Sequence, residues 1–297
     1  MKRNSKTKMT MILLVLMLAS FAMMAWAAEE SKPAKEKQEE AKVTGEIAAS
    51  VLSAYIWRGQ EMTRHSTVIQ PSLTASYKGF TANLWGNLDT RPYAAGDQKY
   101  SSNHTETDIT LSYTRKFGVV QAGAGYIYYA LAAPYSGGTD PLDAQEIFVS
   151  LGLDTILAPT LTVYKEIDHY HQWYALLGVS HTFALHEKIG LKLAATASYL
   201  KSEDATISAD AIRYPKFDGD SAPTADKFNN FHDGTLLIAL PFAVTKNITV
   251  TPLMSYVFPL SQDAKYEMKG RGLQGAAVAS DKDSSFLYGG ISLSYTF

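Results

Sequence analysis

No cysteine occurs among the 297 residues. That excludes disulfides, thiolate metal sites and a lipidated N-terminal cysteine. Charge is scarce as well: charged residues are 19% of the chain, while 18 Tyr and 12 Phe make it rich in aromatics. Such a balance suits neither a disordered chain nor a helical bundle. Basic side chains number 27 and acidic ones 29, and four of the basic ones (Lys2, Arg3, Lys6, Lys8) precede the first apolar run. Without those four the count is 23 against 29, a net −6, which argues against a polyanionic partner such as nucleic acid. After residue 28 no apolar stretch approaches about twenty residues, so no membrane helix is expected there.

What is present begins with an export signal. The basic start is followed by an apolar run from Met11 to Met24, broken only by Ser20, and then by Ala25-Trp26-Ala27, a small-x-small cleavage site. Residues 1–27 therefore read as a signal peptide. Residues 28–42 are a charged, low-complexity leader with no apolar face to anchor a helix, so a solvated spacer is expected.

From Val43 onward the pattern has period two. Ile69, Pro71, Leu73, Ala75 and Tyr77 share one face, and Gln70, Ser72, Thr74 and Ser76 the other; Phe80, Ala82, Leu84 and Leu88 alternate with Thr81, Asn83, Trp85 and Asn87. Twelve such runs start near Val43, Thr67, Phe80, Glu106, Val119, Gln145, Pro159, Trp173, Ile189, Thr235, Ile248 and Phe286. Each is about ten residues, the length of a tilted strand across a bilayer. Connections alternate between short ones, such as Lys78-Gly79 and Phe117-Gly118, and long ones at 89–105, 130–144, 201–233 and 259–285. A soluble sandwich or lipocalin-like barrel shares the period, with the apolar face inside. Three features favour the membrane. The polar face is Ser, Thr, Asn and Gly more than Lys and Glu, Tyr and Phe sit at the ends of apolar faces, and the last residue is Phe297. Residues 43–297 are thus expected to form a transmembrane, antiparallel, up-and-down β-barrel of about twelve strands, with both termini periplasmic.

The final strand, GGISLSYTF, resembles the C-terminal signature of Gram-negative outer-membrane barrels, with Phe297 terminal and Tyr295 two before it. That resemblance implies an address read by the barrel assembly machinery, and a setting of outer-membrane lipid and lipopolysaccharide. Tyr55-Ile56-Trp57-Arg58-Gly59, then Gly79-Phe80, then Asn83-Leu84-Trp85-Gly86-Asn87, resembles an uncharacterised proteobacterial family of putative outer-membrane proteins over about fifty residues. It implies a location and a fold, with no activity to transfer.

Alternation assigns Glu46, Arg58, Lys78, Asn83, Trp85, Glu106, Asp108, Lys116, Glu146, Glu166 and Lys192 to the lumen. Twelve strands are more than the eight whose side chains fill a barrel and fewer than a wide porin has. A narrow channel for small polar solutes or ions is the expected function, filtering by size with a slight preference for cations. A barrel with a plugged lumen and working loops is the alternative. An outer-rim hydrolytic enzyme comes third, because no nucleophile stands out among the many Ser and Thr; no catalytic role and no cofactor are expected. His169 and His171 are the one metal candidate, in Glu166-Ile167-Asp168-His169-Tyr170-His171, but neither spacing nor closure enforces a site. Lys165 shares the apolar face of its strand. Either it lies near the outer headgroups or a bulge reverses the parity there.

Overall fold

The computed structural model describes residues 42–63, 66–90, 103–132, 143–203, 214–271 and 283–297. The expected signal peptide and nearly all of the leader lie outside the described residues.

Twelve strands close into one antiparallel barrel. In chain order they are β1 (Thr44–Leu52), β4 (Val68–Tyr77), β5 (Phe80–Asp89), β6 (His104–Phe117), β7 (Val120–Leu131), β8 (Ala144–Leu153), β9 (Thr160–Glu166), β10 (Gln172–His186), β11 (Ile189–Ser202), β14 (Asn229–Ala239), β16 (Ile248–Pro259) and β17 (Phe286–Thr296). Each pairs with the next, and β17 pairs back onto β1, with Ile47 opposite Tyr295 and Val51 opposite Ile291. Every strand edge is thereby satisfied without water, which lets a sheet sit in lipid. Among the described residues no helix is long and apolar enough to cross a membrane.

The apolar face of each strand points outward. Leu111, Val149 and Leu293 are 52%, 59% and 53% exposed, and similar side chains recur on eleven of the twelve strands, β7 presenting Ala124 and Tyr126 in their place. An apolar belt running round the whole molecule far exceeds the patch of a few hundred Å² that a soluble monomer exposes. The soluble alternative is therefore excluded, and the chain is a transmembrane β-barrel. Tight turns close one end. Tyr77 pairs with Phe80 across Lys78-Gly79, whose φ angles of 48° and 86° are those of a two-residue hairpin turn. The first and last barrel residues lie at this same end, where Gly45 and Phe297 exchange backbone hydrogen bonds of 2.9 and 3.0 Å.

The seam between β1 and β17 depends on a glycine. A Cβ at Gly290 would be driven into the Val51 carbonyl oxygen and stand 2.9 Å from Leu52 Cα, both backbone atoms of the facing strand. Gly290→Ala should therefore spread the seam and cost about 1–3 kcal/mol as an overpacking substitution. Electrophoresis without heating, in which a closed barrel migrates faster than the unfolded chain, checks this: the fast band should melt at a lower temperature.

Strand parity near Lys165 holds. β9 runs in unbroken register with β8 and β10, so no bulge reverses it. Lys165 stays on the outer face at the long-loop end, with its Nζ 2.7 Å from Glu203 and over the Trp173 ring at 5.3 Å. On β10, Trp173 and Leu177 face outward and Tyr174 inward.

Six elements lie off the barrel wall or extend it. β2 (Ile56–Trp57) and β3 (Gln60–Glu61) form a hairpin between β1 and β4; β12 (Pro215–Phe217) and β13 (Pro223–Lys227) form another before β14. β15 (Phe242–Ala243) continues β14 beyond Pro241, and α1 (Gln262–Arg271) follows β16. Ser261 caps α1, its hydroxyl accepting from the Ala264 N–H at 3.1 Å, with Asp263 in the first turn.

Candidate functional site

The lumen has two unlike halves. Toward the short turns it is a hydroxyl-lined cup: Ser50 donates to Ser292 (3.1 Å), Ser76 and Thr81 pair at 2.9 Å, and Asn83 donates to Thr74 (2.8 Å). Glu46 and Lys192 also take inward positions in this half. Two residues expected in the lumen lie instead at its rim. Lys78 is a turn residue whose Nζ stands over the Tyr77 ring, and Lys116 pairs with Asp154 in solvent, the two side chains being 59% and 65% exposed.

Toward the long loops the lumen is filled. The β2–β3 hairpin folds inward and touches strands on several sides. Tyr55 packs on Trp85 of β5 at 5.5 Å, and Trp57 packs edge-on against Tyr129 of β7 at 6.2 Å. A Cβ at Gly59 would meet Asp233 of β14 and Met268 of α1, both at 3.0 Å. Arg58 and Gly59 take φ angles of 47° and 75°, the left-handed bend that turns the hairpin and aims Arg58 across the barrel. Arg58 therefore reaches the lumen from a loop, and not from the end of β1 as its sequence position suggests.

Arg58 is the centre of the filled half. Its two terminal nitrogens grip Glu146 of β8 at 2.7 and 2.6 Å, with side chains 8% and 2% exposed. The guanidinium also lies over Trp57, Tyr164 and Tyr174, at 4.7, 4.9 and 4.3 Å from the ring centroids. The Tyr129 hydroxyl donates to the same carboxylate at 3.0 Å. A bidentate, aromatic-stacked pair is a role for which Arg, with its planar fork, is suited and Lys is not.

A second buried network joins α1 to the wall. His232 of β14 has Nδ1 2.9 Å from Asp233 and Nε2 2.8 Å from Glu267 of α1, with all three side chains at most 5% exposed. A neutral imidazole donates from one nitrogen only, so two carboxylate contacts require an extra proton within the triad. Asp233 also receives the Tyr174 hydroxyl at 2.9 Å and has the Ser198 hydroxyl 2.7 Å from the same oxygen, Oδ1. Around these groups Leu200, Val257, Ala264, Met268 and Phe286 form an apolar core inside the barrel.

Glu106 and Asp108 of β6 and Trp85 of β5 face this half from the wall, with Trp85 opposite Asp108 in register. Glu166 has a different task. Its two oxygens accept backbone N–H groups from Asp168, His169, Tyr170 and His171 at 2.6–3.0 Å, pinning the β9–β10 turn. In that turn the His169 ring is held by the Asp143 carbonyl at 2.8 Å, and His171 takes a φ of 46°. Among the described residues no group of three or more His, Cys, Asp or Glu side chains could hold a metal. Of the buried carboxylates, Glu146 is held by Arg58, and Asp233 and Glu267 by His232.

The outer rim carries one further ion pair, where Lys165 holds the Glu203 carboxyl below its ordinary range. Its contribution is present above the unfolded carboxylate value of about 4.3 and fades as pH falls through the lower folded value. Glu203 is 45% exposed, so solvent screening keeps the effect small.

Neither the inward hairpin nor α1 was expected from the sequence. A signal exists for each. Alternation stops between Ser53 and Ser66, where Arg58-Gly59 supplies a turn, and Ser261 precedes a ten-residue stretch with Ala264 and Met268 four apart, the spacing of one helix face.

No protein-family model and no curated protein matches the chain. Among solved structures it is similar to the NanC porin, at 12% identity over 84% of this chain and 98% of that one, with a TM-score of 0.49. It is similar also to OmpT, an outer membrane protein of Vibrio cholerae, at 8% identity over 89% and 100% of the two chains (TM-score 0.36). A third is the translocator domain of the autotransporter NalP from Neisseria meningitidis, at 10% identity over 94% and 97% (TM-score 0.37). Likeness of this degree speaks to fold and lends nothing about activity. With twelve closed strands and an apolar exterior, the chain is a multi-pass β-barrel of the outer membrane.

Proposed function

We propose that the protein is a narrow channel for small polar solutes or ions, constricted midway by the β2–β3 hairpin. The observation that supports this reading is the abrupt change within one lumen, from a hydroxyl-lined cup to a hairpin held across the bore by the Arg58–Glu146 fork. A lumen meant only to be filled has no need of rows of Ser and Thr, whereas a diffusion path does. In this reading the short-turn end and both termini face the periplasm, and Tyr295 and Phe297 serve as the address for the barrel assembly machinery. Their rings stack 6.3 Å apart on the outer face, 45% and 50% exposed. No catalytic role and no cofactor enters the proposal.

Conductance across planar bilayers tests it. The intact, folded protein should give small, discrete steps, with a modest preference for cations. Deleting residues 55–62 should enlarge the steps. A second reading, a barrel plugged for structural or surface-interaction duty, is favoured by the packed α1. It wins if the intact protein never conducts while the deletion does.

A further inference from the structure

The outer face of the barrel carries a groove of about 660 Å³ at the short-turn end of β4, β5, β6 and β7. That volume falls within the roughly 300–1,000 Å³ of small-molecule sites. Two rows of register partners build it. Ala75, Ala82, Leu111 and Tyr126 lie side by side across the four strands, and Tyr77, Phe80, Tyr113 and Ala124 form the next row toward the turns. Side-chain size makes the hollow. Leu73, Leu84 and Ile109, one row further from the turns, are bulky, and Phe80 and Tyr113 pack 4.7 Å apart on the other side of Ala82. Val43, just before β1, completes the lining.

Charge is sorted along the same strands. Among the described residues from Val68 to Leu131, every Asp and Glu (Asp89, Glu106 and Asp108) lies in the long-loop half. The Lys and Arg residues described there, Lys78, Arg115 and Lys116, all lie at the short-turn end. Lys116 is engaged by Asp154. Lys78 sits in the turn at the end of the groove, its Nζ over the Tyr77 ring at 5.3 Å. Arg115 follows Tyr113 on the outer face of β6, over the Phe117 ring at 5.3 Å, and the Thr114 N–H beside it donates to the Gly79 carbonyl at 2.9 Å. The Tyr113 ring leans over the same turn, since a Cβ at Gly79 would meet its Cε2 at 3.0 Å. The apolar groove therefore ends among two cations and two tyrosines.

From this arrangement we infer that the groove binds an anionic glycerophospholipid, with an acyl chain over Ala75 and Ala82 and the phosphate beside Lys78. The chain gains fixed apolar contacts on both sides of the hollow. The Lys78 ammonium supplies charge-assisted donors to the phosphate, and Tyr77 and Tyr113 present an apolar ring with a polar tip, as an interfacial position requires. Arg115 adds positive charge at the same level. A lipid with several chains on one sugar headgroup brings more chains than one groove takes. A second copy of the barrel, docked by a two-fold axis, would set Lys78 and Arg115 against their own counterparts, with like charges opposed.

Native mass spectrometry of the full folded barrel, released from non-ionic detergent micelles, counts the lipids that each barrel retains and is independent of conduction. The probes are dioleoylphosphatidylglycerol, dioleoylphosphatidylcholine and lipid A, each titrated alone. The expected result is saturable retention of one phosphatidylglycerol per barrel, with the other two weaker by about fivefold or more. Lys78→Asn, which suits the left-handed turn ahead of Gly79, should weaken phosphatidylglycerol by about fivefold. Ala82→Leu, which fills the groove and keeps the exterior apolar, should weaken it by about tenfold. Lys188→Gln, in the β10–β11 turn on the other side of the barrel, should leave it unchanged. Absence of saturable phosphatidylglycerol retention overturns the proposal. So does equal retention of phosphatidylcholine or lipid A, undiminished retention in Lys78→Asn or Ala82→Leu, or an equal loss in Lys188→Gln. A barrel dimer that Ala82→Leu breaks also overturns it, because a second copy is then the occupant.

Discussion

Replacing Arg58 by Ala should lower the stability of the barrel by about 3–5 kcal/mol and enlarge its conductance at the same time. The first effect follows from what is left behind. Glu146, 2% exposed in its side chain, keeps the Tyr129 hydroxyl but loses both guanidinium bonds. Removing one member of a buried ion pair costs on this scale because the survivor is an uncompensated charge, with the net worth of the pair a separate quantity. The second effect follows from geometry. The fork is the bond that ties the hairpin to the far wall, and without it the three stacked rings lose the cation between them. Denaturant midpoints in micelles at fixed detergent ratio measure the first, and single-channel steps the second. The double variant Arg58→Met with Glu146→Leu removes both charges and should recover most of the stability while leaving the channel more open. If Arg58→Ala costs less than about 1 kcal/mol, the pair is solvated and the hairpin is held by packing alone.

The second large effect concerns α1. Glu267→Ala should undock the helix from β14, because His232 is fully buried and Glu267 is its partner at Nε2. The remaining Asp233 contact uses Nδ1, so Nε2 is left without its carboxylate partner. The expected cost is again about 3–5 kcal/mol, as for any broken buried pair. Here it is local, since β14 and β16 keep their register with their neighbours. Limited trypsin digestion reads it out: cleavage at Lys265 and Lys269 should accelerate severalfold while the strands stay protected. Replacing both partners, with His232→Leu and Glu267→Met, should restore protection. Cleavage unchanged by Glu267→Ala would show that Ala264 and Met268 hold the helix without the triad.

The barrel itself was legible because its rule is local. A strand with one face in lipid and one in a polar lumen must alternate, and the alternation of Ile69, Leu73 and Tyr77 with Gln70, Thr74 and Ser76 says so without any knowledge of neighbours. All twelve runs became barrel strands, and the tenth begins earlier than its alternation shows, at Asn229. The reason is that Asn230, His232 and Asp233 belong to the polar interior near α1, where hydrophobic period no longer marks the wall. The same limit explains Arg58. Alternation carried on from β1 placed it on the wall, but the positive φ of Arg58 and Gly59 turns the chain into the bore.

By itself, then, the sequence determined that the chain crosses a membrane as a closed sheet, which faces are wet, and that Gly289 through Phe297 form the closing strand. These depend on period and composition, which each strand carries alone. Which half of the lumen is filled, that Arg58 meets Glu146 across it, that His232 joins Asp233 to Glu267, and that Gly290 must lack a side chain were decided only by the tertiary structure. The partners are 88, 35 and more than 200 residues apart, and the contacts exist only once twelve strands have closed and a loop has folded into the space between them. Closure sets those distances, and no local pattern encodes them.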